Sequence, residues 1–205
     1  MVKVKLYIEG GGDSRSLHIE CRRGFRKLFE KAGFKERMPS IKACGGRSST
    51  FDDFNTALEM ASDDEVPILL VDSEAAVTEP AWKHLQHLNG WPRPNGATDD
   101  QAQLMVQCME TWCVADRGAL RRFFGQHLQE SALPGLDGLE GRATANVQQA
   151  LEHATRQCGR DREYKKGKRS FRLIAELDPL VLEEHLPHFV ELHMILDKTL
   201  AGSQN

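Results

Sequence analysis

Residues 66–74 read VPILLVDSE, an apolar run without interruption that ends in two carboxylates. A strand with no polar alternation is buried on both faces, and that is the signature of an interior strand in a parallel sheet covered by helices on each side. The flanking segments fit such a sheet. Val2, Val4, Leu6 and Ile8 alternate with Lys3, Lys5 and Tyr7, a period of two that predicts a first strand. Ser14 or Ser16 can cap a following helix, whose apolar stripe is Leu17, Cys21, Phe25, Leu28, Phe29 and Ala32, with Gly33 as its stop. PSIKACGG reads as a short second strand entering a glycine loop. STFDDFNTALEMAS reads as a second helix capped by Ser49 or Thr50, with acids in its first turn. The order β-α-β-α-β predicts a parallel sheet with crossover helices.

Downstream, residues 75–98 read as a long loop, punctuated by Gly90, Pro92, Pro94 and Gly96. QLMVQ predicts a fourth strand, and METWCVADRGALRRFFGQHL a helix in two pieces. Residues 144–158 read as helical, REYKKGKRS as a basic turn, and SFRLIAEL as the start of another helix. A helical tail follows, interrupted at Pro187, with the last five residues frayed. The expected class is α/β: a mostly parallel, Rossmannoid sheet flanked by helices over 1–180, with a C-terminal helical extension over 181–205 that is a tail of the same domain.

Charge is unevenly spread. The chain of 205 residues carries a net charge of −3, yet Ser48 to Trp82 holds nine acids and no Lys or Arg. CRRGFRKLFEKAGFKER and CGRDREYKKGKRSFR are both strongly basic. The five cysteines are scattered without a CxxC pair, so neither a zinc ribbon nor a disulfide framework is indicated, and reduced thiols in a cytoplasmic protein are expected. The N-terminus lacks a signal-peptide apolar block, and no run approaches the ~20 apolar residues of a membrane span.

In a parallel α/β sheet, ligands bind at the carboxyl ends of the strands. Glu9 ends the first strand, Asp72 and Glu74 end the third, and Glu110 and Asp116 lie just beyond the fourth. Crowded carboxylates repel one another unless a cation lies between them, and hard divalent ions prefer oxygen ligands. Mg²⁺ or Mn²⁺ is therefore the expected guest. The triple glycine at 10–12 lets the chain turn sharply toward a metal or phosphate, and Asp13 can swing back toward Glu9.

These acids resemble the Toprim superfamily, the metal-dependent domain of topoisomerases, primases and OLD-type nucleases. Its pattern is a Glu after strand one and Asp-x-Asp after strand three; here these are Glu9 and DSE, with Glu74 in place of the second Asp. OLD-type nucleases are similar in placing an acid four residues after the first Glu, which is Asp13. They also use an acid from a later helix and a lysine near the domain's end, places that Glu110 and one of Lys165, Lys166 or Lys168 would fill. More closely, EGGGD, LLVDSE, GATDDQAQLMVQCMETWCVAD and KGKRSF followed by LDP resemble a small stand-alone Toprim-like bacterial family of unknown function, over about residues 3–180.

The resemblance implies cleavage of phosphodiester bonds in DNA or RNA in anti-phage defence, alongside an ATPase partner. Glu9, Asp13, Asp72, Glu74 and Glu110 would hold the metal or position water, and Lys166 or Lys168 would offset charge on the phosphorus. Arg22 and Arg26 on the first helix, and Lys165 and Arg169 in the basic turn, would hold nucleic-acid backbone. Trp82, Trp91 and Tyr164 are candidates to stack on an unpaired base. Trp112 reads as core. The histidine pairs His84/His87 and His185/His188 lack a third zinc ligand nearby in sequence. Two other classes compete. In a receiver-type domain Asp72 would accept a phosphoryl group, with Lys166 as the late lysine. In a non-catalytic partner subunit the acidic rim would bind metal for stability, or an ATPase surface, without turnover; an oligomer is compatible with these readings.

Overall fold

A computed structural model describes residues 2–159 and 161–202. Four parallel strands, β1 (Lys3–Ile8), β2 (Ser40–Ala43), β3 (Glu65–Asp72) and β4 (Ala102–Met105), form one sheet in the order β2-β1-β3-β4. The pattern of VPILLVDSE has a direct cause. Ile68 and Leu70 enter the larger core, while Leu69 and Val71 enter a second core on the opposite face. In β1 only Val4, Leu6 and Ile8 face the larger core, which explains its alternation. Each fully buried aliphatic side chain contributes roughly 1.5–3 kcal/mol of transfer free energy, so a one-residue slip of β1 would be prohibitive.

Helix α1 (Arg15–Phe29) is capped by Ser14, whose Oγ accepts from the Leu17 amide, and the chain turns out at Gly33 with φ 92°. Helix α2 (Arg47–Met60) starts earlier than its sequence suggests. Its cap is Gly46, no acid occupies its first turn, and Thr50 lies inside the helix with its hydroxyl donating to the Gly46 carbonyl. The stretch 75–98 is not wholly loop. It contains α3 (Ala81–Asn89), closed by Gly90 in the left-handed conformation. Trp82 and Leu85, three apart, bury its inner face against the second core, a repeat too short to stand out among the surrounding prolines and glycines.

Beyond β4 come α4 (Met109–Ala115) and α5 (Arg117–Phe124), then α6 (Thr144–Thr155) and α7 (Lys168–Ile174), which begins earlier than SFRLIAEL implied. Helices α8 (Pro179–His185) and α9 (Pro187–Ala201) break at Pro187 as expected. Helix α9 packs on β1 and β4, with the Phe189 ring edge-on to Trp112 at 5.0 Å. The tail thus completes the larger core. Of the last five residues, expected to fray, Ala201 still belongs to α9, and 203–205 lie outside the described residues. No helix among the described residues is long and apolar enough to cross a membrane.

One clasp ties the segment before α6 to α9. The His188 amide donates to Glu140 Oε1 at 3.1 Å, and its ring Nδ1 lies 2.6 Å from Oε2. The bond to Glu140 raises the imidazole above its ordinary value of 6.5, against the opposing effect of burial. A histidine raised on folding gives stability that is complete below pH 6.5 and lost as pH rises through the folded-state value. Urea midpoints of the wild type should therefore fall between pH 6 and pH 8 more steeply than those of His188→Gln. Parallel curves would show that the clasp carries no linked proton.

Candidate active site

The site grows from two glycine loops at the carboxyl end of the sheet. Sheet pairing continues one residue past β1, where the Glu9 amide donates to the Leu70 carbonyl at 3.0 Å. The chain then bridges to the loop after β2: Gly10 donates to the Gly45 carbonyl at 2.8 Å, and Gly45 donates back at 3.2 Å. Gly45 has φ 86°, and a Cβ there would lie 2.5 Å from the Gly12 carbonyl oxygen. This accounts for EGGGD meeting CGGR. The glycines let two backbones touch, where the sequence had suggested room for a metal or phosphate.

That contact delivers Arg47, the first residue of α2, to the rim. Its Nη1 donates to Glu9 Oε2 at 3.2 Å and to the Asp72 carbonyl, and its Nη2 donates to Asn89 Oδ1 at 2.7 Å. Glu74 Oε2 lies 3.5 Å from Nε. The guanidinium sits 5.1 Å over the Trp91 ring, which is itself stacked on Phe51 at 4.4 Å. Glu9 Oε2 also accepts from the Asp72 amide at 3.2 Å, so the ends of β1 and β3 are joined by side chain as well as backbone.

Asp72 is buried and accepts from the Met109 amide at 2.8 Å through Oδ1. The neighbouring Glu110 is fully buried. Its Oε1 accepts from the Tyr164 hydroxyl at 2.7 Å and its Oε2 from Gln148 Nε2 at 3.2 Å. The Tyr164 oxygen is 2.8 Å from Ser170 Oγ, which in turn accepts from the Gly167 amide at 3.1 Å. These bonds lock the turn on both sides of Lys166.

The electrostatics follow from this packing. Burial, then the charges of Glu9 and Glu110, push the Asp72 carboxyl well above the usual range, against the pull of Lys166 and the Met109 amide. Burial also raises Glu9, with Arg47 opposing. Burial alone would lower Lys166, but Glu110, Asp72 and Glu9 together carry it above its ordinary value, so the ammonium stays charged.

Glu9, Asp72, Glu110 and Lys166 share one electrostatic cluster, and Glu74 reaches its margin through Arg47. Asp13 is exposed in the turn before α1, and no hydrogen bond or ion pair among the described residues joins it to them. Asp116 serves another purpose: it caps α5 through Ala119 N at 2.8 Å and accepts from Asp178 N at 2.9 Å. Lys168 pairs with Glu20 at 3.5 Å. Arg169 bonds the carbonyls of Glu163 and Asp161, which makes it a brace for the turn. Arg22, Arg26 and Lys165 are exposed, and Arg26 pairs with Glu30 at 3.1 Å.

Tyr164 and Trp82 are buried and hydrogen-bonded, which removes them as stacking platforms, and Trp112 is core as expected. His84, His87 and His188 are each engaged by protein groups, a carbonyl or a carboxylate. Sequence reasoning missed Arg47, Gln148 and Ser170. The one available signal was a basic residue directly after CGG, at a strand-to-helix junction.

Two protein cations, Arg47 and Lys166, do much of the charge compensation that the sequence suggested a metal would do. Among the described residues, no three His, Cys, Asp or Glu side chains form a group that could hold a metal ion. The donor chemistry still suits Mg²⁺ or Mn²⁺. Mg²⁺ takes only one or two carboxylates and keeps water and substrate phosphate for the rest, and among the described residues Glu9 Oε1 and Asp72 Oδ2 accept no protein hydrogen bond, so each carboxylate keeps one oxygen for an ion.

No curated protein and no solved structure matches the chain. A family model, that of the domain of unknown function DUF4276, matches residues 8–197 and so takes in every rim residue from Glu9 to Lys166. With most of its length and the whole candidate site inside that match, the chain belongs to the DUF4276 family.

Proposed function

We propose that this protein is a metal-dependent nuclease that hydrolyses phosphodiester bonds at the rim formed by Glu9, Asp72, Glu110 and Lys166. The observation that carries the reading is that acids from three segments are tied together at the carboxyl end of a parallel sheet, Glu9 accepting from the Asp72 amide and the Asp72 carboxylate from the Met109 amide beside Glu110, with the charge of Lys166 acting on all three. Such a site suits a phosphoryl group, which needs cationic stabilisation of its oxygens and an acidic pair to hold a metal. Glu9 and Asp72 would hold the ion. Bound Mg²⁺ or Mn²⁺ supplies Lewis-acid polarisation of the phosphoryl oxygen and a more acidic water. Lys166 places a fixed positive charge where negative charge develops on the phosphoryl oxygens. Glu110 acts through Tyr164 and Ser170, which hold the Lys166 turn, and Arg47 holds Glu9.

The two lysines give a discriminating test. Lys166→Ala should lower the rate of cleavage of a labelled oligonucleotide, with Mg²⁺ or Mn²⁺ present, by about 10²–10³-fold, the cost of removing one preorganised charge from a transition state. Lys168→Ala should stay within a few-fold, roughly the effect of losing a surface pair with Glu20. Equal losses would refute the assignment of Lys166. A Mn²⁺-dependent thermal shift in a protein that cleaves neither DNA nor RNA would favour the non-catalytic metal-binding reading instead.

A further inference from the structure

A cavity of about 770 Å³ lies away from the carboxylates, between α1, α7 and the turn after α1. A second, of about 260 Å³, continues past it, because Phe123 and Arg172 line both. The second is lined by Lys168, which opens α7 two residues after Lys166 in the chain. The walls are basic. Arg23 and Lys27 stand one helical turn apart on α1, and Lys35 follows after the turn. All three are exposed, and among the described residues none of their side chains makes a hydrogen bond or ion pair.

The acids of the first cavity are offset locally. Glu20 is shared by Lys168 at 3.5 Å and Arg172 at 3.6 Å, and Glu30 pairs with Arg26 at 3.1 Å. Among the described residues, Glu176 is the one acid there without such a partner. The second cavity adds Arg162 and Arg169 against one acid, Asp161. A protein with net charge −3 thus carries a continuous basic groove, with the half-buried Phe123 ring in its wall where the two cavities join.

We propose that this groove carries the phosphate backbone of a single-stranded nucleic acid and leads it to the Lys166 rim. The inference rests on the nuclease reading for the identity of the polymer. A cationic channel that tracks a backbone, with an aromatic side chain on which a base can lie, is how single strands are held without sequence preference. Arg23, Lys27 and Lys35 supply the backbone contacts, and Phe123 the stacking face. Arg22 and Arg26 line neither cavity and stand outside the track.

The test is fluorescence anisotropy of a labelled oligothymidylate in EDTA, where binding is read without cleavage. Arg23→Glu/Lys27→Glu should weaken binding about tenfold or more and reduce the log–log salt slope by about 1.4, the share of two phosphate contacts on a single strand. The charge-matched pair Lys83→Glu/Arg142→Glu, which lines neither cavity, should stay within about twofold. Arg23→Gln/Lys27→Gln must move in the same direction as the groove reversal, with the circular dichroism spectrum unchanged. Equal loss in both Glu pairs, no loss in either, or tighter binding of duplex than of single strand would overturn the proposal. Groove-dependent binding by a protein that never cleaves would leave the track standing and sink the nuclease reading; cleavage indifferent to the groove pair would do the reverse.

Discussion

Asp72→Asn should lower cleavage steeply and raise the stability of the fold in the same molecule. Asparagine keeps an oxygen to accept from the Met109 amide, now at 2.8 Å, so the backbone between β3 and α4 keeps its anchor. What disappears is a buried negative charge facing Glu9 and Glu110. Against that gain stands the lost attraction to Lys166. Burial and two like charges outweigh one lysine, which is why the carboxyl is pushed up, and the balance favours the neutral side chain.

The expected gain is about 1–2 kcal/mol at neutral pH, of the size seen when strain is removed from a functional site. It should appear as a melting-temperature rise of about 2–4 °C per kcal/mol for a chain of this length. The sign of its pH dependence is fixed. A carboxyl raised on folding costs most above its folded-state value, and the cost fades as pH falls toward the ordinary 3.8. The gain should shrink in acid accordingly. Cleavage should fall about 10³-fold, since loss of a metal ligand removes several kcal/mol of transition-state stabilisation. Melting in EDTA and turnover in Mg²⁺ read the two halves separately. Full activity would end the metal reading, and a lower melting temperature would make Asp72 a structural anchor.

What the sequence revealed follows from how local each signal was. The apolar run of β3 and the alternation of β1 are written in consecutive residues, so the parallel sheet could be read directly. Helix α1 carried its own cap at Ser14 and its own stop at Gly33. The acids could be placed because each ends or follows a strand, and strand ends share one edge of a parallel sheet. The partners of those acids could not. Arg47 lies 38 residues from Glu9 and 25 from Asp72, and it reaches them only because Gly10 and Gly45 bring two loops into contact. Tyr164 looked like an available aromatic, but it is 54 residues from Glu110, and only the fold shows its hydroxyl inside a buried network. Asp13 was misplaced for the opposite reason. Its nearness to Glu9 in sequence suggested contact, whereas three consecutive glycines with positive φ carry the chain away into an exposed turn.

Arg47→Met should be the most destabilising single change at the rim, by about 2–4 kcal/mol, the cost of stranding a buried charge discounted for the partial exposure of its partner. The side chains of Arg47 and Glu9 are 12% and 20% exposed, so water can repair only part of the loss. Methionine approximates the packing of the stem against Trp91, so a large cost would come from the head group, with Glu9, the Asp72 carbonyl and Asn89 all losing a donor. Arg47→Lys should recover less than half. One ammonium cannot serve Glu9 and the Asp72 carbonyl from one nitrogen while reaching Asn89 with another, and it stacks poorly on the indole. Urea denaturation with a double-mutant cycle decides the cause. If charge compensation dominates, Arg47→Met/Glu9→Gln should be more stable than Arg47→Met alone, because the stranded carboxylate is gone. If the two losses simply add, Arg47 acts through Asn89 and Trp91, holding the segment after α3 in place, and the electrostatic account of Glu9 fails. Because Glu9 both pairs with Arg47 and is the proposed metal ligand, that result would also separate the arginine's hold on the fold from its hold on the catalytic rim.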